Sequence, residues 1–118
     1  MDIEGKSGVE VLQLARGKGW YPALVQQLQK DFGLARIDFK ANEEISVKAL
    51  KRLVKEKVYF LLMEDYPSLL NLLYVMDIEE RKLKEIRAQG VVEVADEISD
   101  VLLRRIFKKI WLRKKYST

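Results

Sequence analysis

A chain of 118 residues with 48% hydrophobic and 34% charged side chains reads as one domain of ordinary size, able to bury roughly two-thirds of its unfolded surface. It contains neither cysteine nor histidine, which excludes disulfides, thiolate metal sites and cysteine nucleophiles and removes the commonest general base. The net charge of +4 is unevenly placed: residues 1–100 carry fifteen Lys/Arg against eighteen Asp/Glu, whereas residues 101–118 carry seven Lys/Arg and no acid, so an anionic partner is to be sought at that end.

The opening MDIEGKSG has no basic segment leading into an apolar one and does not read as a signal peptide. Residues 1–7 are expected to fray. Ser7-Gly8 opens a first helix to about Arg16, with Val9, Val11, Leu12 and Ala15 inward; Gly17 and Gly19 end it. Trp20-Tyr21-Pro22 introduces a second helix, since proline suits the first turn. Leu24, Val25, Leu28 and Phe32 recur along it at helical spacing, with Gly33 as its C′ residue. Residues 35–41 alternate apolar and charged, but no second strand exists to pair with them. An extended connector pinned by Ile37 and Phe39 is expected.

Asn42 is the expected cap of a third helix, with Glu43 and Glu44 at the favourable end of its dipole. The helix runs to about Glu64, with Val47, Leu50, Leu53, Val54, Val58, Leu61 and Leu62 inward. From Tyr59 to Met63 it is apolar on all sides, which predicts burial on most sides. Pro67 disfavours helix at Tyr66, so the chain bends there, and Asp65 caps a fourth helix to Met76. The stretch 58–76, with fourteen apolar or aromatic residues of nineteen, reads as a central helical hairpin. Glu64, Asp65, Pro67 and Asn71 break it, so it falls short of the roughly twenty apolar residues of a membrane span.

Asp77 and Glu80 fit a capping box for a fifth helix with Ile78, Leu83 and Ile86 inward, ended by Gly90. A sixth helix spans about 92–114, leaving 115–118 as a tail. Its first half bears an acidic row, Glu93, Asp96, Glu97 and Asp100, opposite Val94, Ile98, Val101 and Leu102. Its second half bears an apolar row, Leu103, Ile106, Phe107, Ile110 and Trp111. The apolar stripe turns by about a quarter to a third of a circle between the halves. Either the helix bends or its halves pack on different elements. The fold class is all-α, a compact bundle of five to six helices.

Three constellations carry candidate functions. Seven cations within twelve residues, interleaved with Phe107, Trp111 and Tyr116, form a face that would neutralise phosphates while aromatics stack on bases. Its candidate residues are Arg104, Arg105, Lys108, Lys109, Arg113 and Lys114. The plain alternative is a solvated helix end whose cations oppose the dipole. Leu103, Phe107, Ile110 and Trp111 are candidates for an interface with a second copy or a protein partner; burial against residues 9–32 is the alternative. The acidic row Glu93, Asp96, Glu97 and Asp100 is a weak candidate for Mg²⁺, which takes carboxylate oxygens without histidine.

Two resemblances follow from particular segments. Glu97-x-x-Asp100 before Val-Leu-Leu resembles the second carboxylate motif of the all-helical nucleotide pyrophosphohydrolases related to MazG. That resemblance implies Mg²⁺-dependent nucleotide hydrolysis, but those enzymes carry an earlier Glu-x-x-Glu on a neighbouring helix and this chain has none. WYPALVQQLQKDFGLA at 20–35, LLNLLYVMDIEERKLKEI at 69–86 and IFKKIWLRKKY at 106–116 together resemble a family of small, uncharacterised bacterial all-helical proteins of the Bacteroidetes type. This second resemblance implies a helical fold in an intracellular bacterial setting and no activity. The expectation is thus a cytoplasmic, non-enzymatic interaction or assembly domain without cofactor or membrane contact, homodimeric through its last helix. A nucleic-acid-binding subunit is the alternative.

Overall fold

A computed structural model describes residues 2–117. Among them the expected all-α bundle forms, with no strand: α1 (Gly8–Gly17), α2 (Tyr21–Leu34), α3 (Val47–Glu64), α4 (Tyr66–Met76), the single turn α5 (Arg81–Lys84) and α6 (Val91–Tyr116). The α3–α4 hairpin forms as expected, breaking at Asp65, whose carboxylate accepts from the Ser68 hydroxyl at 2.6 Å. The helix that touches α1, α2, α3 and α4 alike is α6.

Helix starts and stops follow backbone chemistry that the sequence shows only in part. The Ser7 hydroxyl accepts from the Glu10 amide at 3.2 Å, and the Glu10 carboxylate accepts from the Ser7 amide at 2.9 Å. This reciprocal capping box starts α1. Three helices then end in the same way, with one residue in the left-handed region at C′ and two backbone bonds returning into the last turn. At Gly19 (φ 74°) the Trp20 amide returns to the Ala15 carbonyl; at Arg36 (φ 61°) Ile37 returns to Phe32; at Asp77 (φ 61°) Ile78 returns to Leu73. In each case the residue that returns is apolar and packs onto the core.

Five expectations are corrected in the structure. Gly33 lies inside α2, and Arg36 takes the left-handed position instead. Asp77 belongs to the end of α4, so it cannot cap a fifth helix with Glu80. Residues 78–90 form only the turn α5, with Ile78, Leu83 and Ile86 half-buried. Gly90 starts α6 as its N-cap. Asn42 closes a turn, accepting from the Glu44 amide at 2.7 Å, and α3 starts later at Ser46, whose hydroxyl accepts from the Ala49 amide. That delay has a cause in the packing: the connector is fixed to α2 by Tyr21, whose hydroxyl donates to the Ile45 carbonyl at 2.7 Å, and by Gln29, which accepts from the Ala41 amide. Ile37 and Phe39 are buried as expected, and Phe39 stacks on Phe32 with centroids 4.3 Å apart.

The core gathers Leu12, Leu24, Leu28, Phe32, Leu50, Leu69, Leu72, Ile98, Leu102 and Phe107, all fully enclosed. Segment 2–7, expected to fray, lies against this core through buried Ile3. α1 crosses α6 closely enough that a Cβ on Gly8 would stand 2.7 Å from both Asp100 Oδ1 and Leu103 Cδ1. A side chain there would have to displace both, and the Gly8 amide donates to Asp100 Oδ1 at 2.8 Å. α6 continues unbroken to Tyr116. The rotation of its stripe is met by different partners: the polar contacts of Asp96 and Asp100 go to α1 and α3, those of Arg105, Lys109 and Arg113 to α2 and α4.

Candidate functional site

The structure distributes the basic residues of α6 over several separate tasks. Arg104 donates to the Lys6 carbonyl at 2.9 Å. Arg105 donates through Nε to the Met76 carbonyl at 2.8 Å and through Nη2 to the Asp77 carboxylate at 3.3 Å, closing the end of α4. Lys109 reaches the buried carboxylate of Asp31 at 2.6 Å, and Asp31 also accepts from the Gln27 amide group at 2.8 Å. Arg113 donates to the Gln27 side-chain oxygen. Among the described residues, Lys108 and Lys114 alone of the six candidates make no hydrogen bond or ion pair. Lys115 lies over the rings of Trp111 and Tyr116, with its ammonium 5.0 and 5.5 Å from their centroids. Most of the basic row therefore joins α6 to the rest of the bundle.

The apolar row has the same inward destination. Leu103, Phe107 and Ile110, which the sequence offered as an interface, are enclosed by their own chain. Phe107 meets Trp20 at 5.7 Å between centroids. Burial leaves them no surface for a partner. Trp111 is half-buried and borders an open groove of about 760 Å³ between residues 2–4, residues 77–82 and α6. Asp2, Glu4, Asp77 and Glu79 line that groove beside Arg81, Lys82, Arg104, Arg105 and Lys108, so its charge favours no one sign of ligand.

The acidic row is divided as well. Lys51 of α3 sits between Asp96 (2.9 Å) and Asp100 (2.7 Å), with Lys55 at 3.7 Å from Asp96. Glu93 is exposed and Glu97 half-buried. Among the described residues no three Asp, Glu, His or Cys side chains converge as a metal site. Burial pushes the Asp96 carboxyl up, but its bonds to Lys51 outweigh that and leave it below the usual carboxylate range. Burial likewise pulls the Lys51 ammonium down, and its bonds to Asp100 and Asp96 more than restore it, leaving it above an ordinary lysine.

Both signs follow from linkage. A depressed carboxyl stabilises the fold above its unfolded pKa and loses that contribution as pH falls through the folded value. A raised ammonium contributes below its unfolded pKa and loses that contribution as pH rises through the folded value. Thermal unfolding scanned against pH should therefore show one loss below about pH 4 and another above that of a free lysine. Lys51→Met should flatten the acid limb. An unchanged acid limb in the variant would show that Lys51 does not hold Asp96 ionised.

The surface that sequence reasoning missed lies on α3. Tyr59, Phe60 and Met63 were expected to be buried, but they are 41%, 53% and 54% exposed, and Tyr66 at the start of α4 is 44% exposed. The cause is angular. Val47, Leu50, Val54, Val58 and Leu61 face the core, and at 100° per residue Lys48, Arg52, Glu56, Tyr59 and Met63 centre on the opposite side, with Phe60 on its flank. The bundle has no further helix to cover that side. Tyr74, farther along α4, is 83% exposed. An alternation of exposed charges at Lys48, Arg52 and Glu56 before the aromatics was the available signal, since it marks this face as outward one turn earlier.

No family profile, curated protein or solved structure matches the chain. None of the described helices is long and apolar enough to cross a membrane.

Proposed function

We propose that the protein is a small non-enzymatic interaction module that docks a protein through the outward face of α3 and the first turn of α4. One observation carries this reading: Tyr59, Phe60, Met63 and Tyr66 are large, apolar and exposed at adjoining turns, whereas most of the other large apolar side chains are packed inward. Monomeric surfaces seldom carry contiguous patches of this kind, and aromatic and methionine side chains are the types that concentrate at contact centres. Lys57, with its ammonium 6.0 Å from the Phe60 ring, supplies a polar edge. The nucleic-acid alternative has less support, because Arg104, Arg105, Lys109 and Arg113 already bond within the chain.

A photoreactive benzoylphenylalanine placed at Phe60 or Met63 tests the reading in cells that produce the protein. Irradiation should give a discrete adduct from these positions and none from the exposed positions Asp38 and Lys84. The same pattern from all four positions, or no adduct from any, overturns the reading.

A further inference from the structure

Among the described residues, 77–94 is the longest run without a buried side chain. Within it, residues 79–89 bond only to one another. The Lys82 and Leu83 amides donate to the Glu79 and Glu80 carbonyls at 3.0 Å, those of Glu85 and Ile86 donate to Lys82 and Leu83 at 3.3 Å, and Arg81 pairs with Glu79 and Glu85. Among the described residues, no hydrogen bond or ion pair joins 79–89 to the rest of the chain. The two ends are fixed. The Ile78 amide donates to the Leu73 carbonyl at 2.8 Å, and the Gly90 carbonyl accepts from the Val94 amide at 2.9 Å. Between these ends, half-buried Leu83 and Ile86 rest against the core. Beneath lies one side of α6, where Glu97, Val101, Arg104, Lys108 and Trp111 recur at the helical period. They line two open cavities, the groove of about 760 Å³ and a second of about 390 Å³ beside Glu85 and Ile86. Glu4, Lys82, Val101 and Arg104 border both.

We propose that residues 79–89 are a hinged lid over this side of α6, lifting as a unit beside Ile78 and Gly90 while α1 to α4 and α6 stay packed. The lid is independent of the docking face on α3. A local opening has a free energy set by the contacts it breaks, and this one parts two half-buried apolar side chains and no polar bond across the gap. The turn of α5 and the pairs of Arg81 travel with the lid intact. The remainder of α6 is held far more firmly. Ile98, Leu102, Ile106 and Ile110 are enclosed, and Arg105 and Lys109 bond it to α4 and α2. Both turning points are ends of elements, where chains absorb backbone rotation in hinged motions. With the lid raised, Lys82 no longer divides the two cavities, and they join as one trough along α6 from Glu97 to Trp111, with Val101 on its floor.

The chain has no cysteine, so Val101→Cys in the full chain places a single thiol beneath the lid. Its labelling by a bulky maleimide is timed at several urea concentrations below the unfolding transition. The comparisons are Lys40→Cys, at an exposed position of the connector, and Val101→Cys with Leu83→Ala and Ile86→Ala added; circular dichroism checks each fold. Labelling under the lid should be at least about tenfold slower than at position 40. It should vary little with urea, because the opening exposes little surface, and it should rise about tenfold when the two alanines loosen the lid. Labelling as fast as at position 40 overturns the lid, since the side of α6 then stands open. Labelling with the full urea dependence of global unfolding, or labelling indifferent to the two alanines, overturns it as well. Native-state hydrogen exchange of the unsubstituted chain repeats the test. The Leu83 and Ile86 amides should exchange through an opening that the Leu102 and Phe107 amides do not share, and a single opening common to all four overturns the proposal.

Discussion

Lys109→Ala should cost about 3–5 kcal/mol of folding stability, read from the urea midpoint at constant slope. The reason is what it leaves behind. Asp31 is 2% exposed, and its carboxylate is held by Lys109 at 2.6 Å and by the Gln27 amide at 2.8 Å. Without the ammonium, one hydrogen bond from a neutral amide must support a buried negative charge. Removing both charges together is a different experiment. Asp31→Leu/Lys109→Met replaces the pair with apolar groups of similar reach and should recover most of the loss, since a buried pair gains little over well-packed apolar side chains. A loss below about 1 kcal/mol for Lys109→Ala would place Asp31 in contact with water and remove this pair as the tie between α2 and α6.

Phe107→Ala should be of comparable size, about 3–5 kcal/mol. The ring is 1% exposed and meets Trp20 at 5.7 Å with the planes tilted by 43°. Truncation leaves a cavity among α1, α2 and α6, where the helices are already tied by the Lys109 and Arg104 contacts and cannot easily close over it. This result also separates the two roles open to the residue. An interface residue would change the mass of a fold that keeps its stability; a core residue changes the stability. Sedimentation beside the urea curve reads both. A stable variant with altered mass would return Phe107 to the surface.

The helical fold was legible because its signals are local. Leu24, Val25, Leu28 and Phe32 repeat at the helical period, Ser7 precedes Val9 and Leu12, and Pro67 follows a polar break. Each of these fixes an element without reference to the rest of the chain. The endings were less legible, because a left-handed C′ residue need not be glycine. Arg36 and Asp77 take that conformation while the apolar residues after them, Ile37 and Ile78, reach back to the core. Asp77 shows the difficulty well. It has the right side chain to start a helix and the right neighbour in Glu80, yet the bond from Ile78 to Leu73 at 2.8 Å commits it to ending one.

The candidate site divided along the same line. That α6 would carry an apolar and a basic row was plain, but their destinations depend on helices far away in sequence. Arg105 finds a carbonyl at Met76, Lys109 a carboxylate at Asp31, and Lys51 the pair Asp96 and Asp100. No spacing within one helix reveals such partners. The exposed face of α3 was hidden for the opposite reason. Tyr59–Met63 is apolar on all sides in sequence, so that stretch by itself does not say which side stays uncovered; only Lys48, Arg52 and Glu56 before it mark the outward side.

The position of α6 in the chain has a kinetic consequence. The amide of Gly8 is bonded 92 positions downstream, to Asp100, and the carbonyl of Lys6 is bonded 98 positions downstream, to Arg104. Most helical bundles draw their contacts from adjacent helices and fold fast for that reason. Here the helix that joins the others follows them in the chain, so the faces of α1 to α4 that pack on it stay open until residues beyond 90 are made, although α1 to α4 also pack on one another. Closing those long loops costs entropy before the contacts of α6 repay it, so this chain should fold more slowly than a bundle whose contacts join only neighbouring helices.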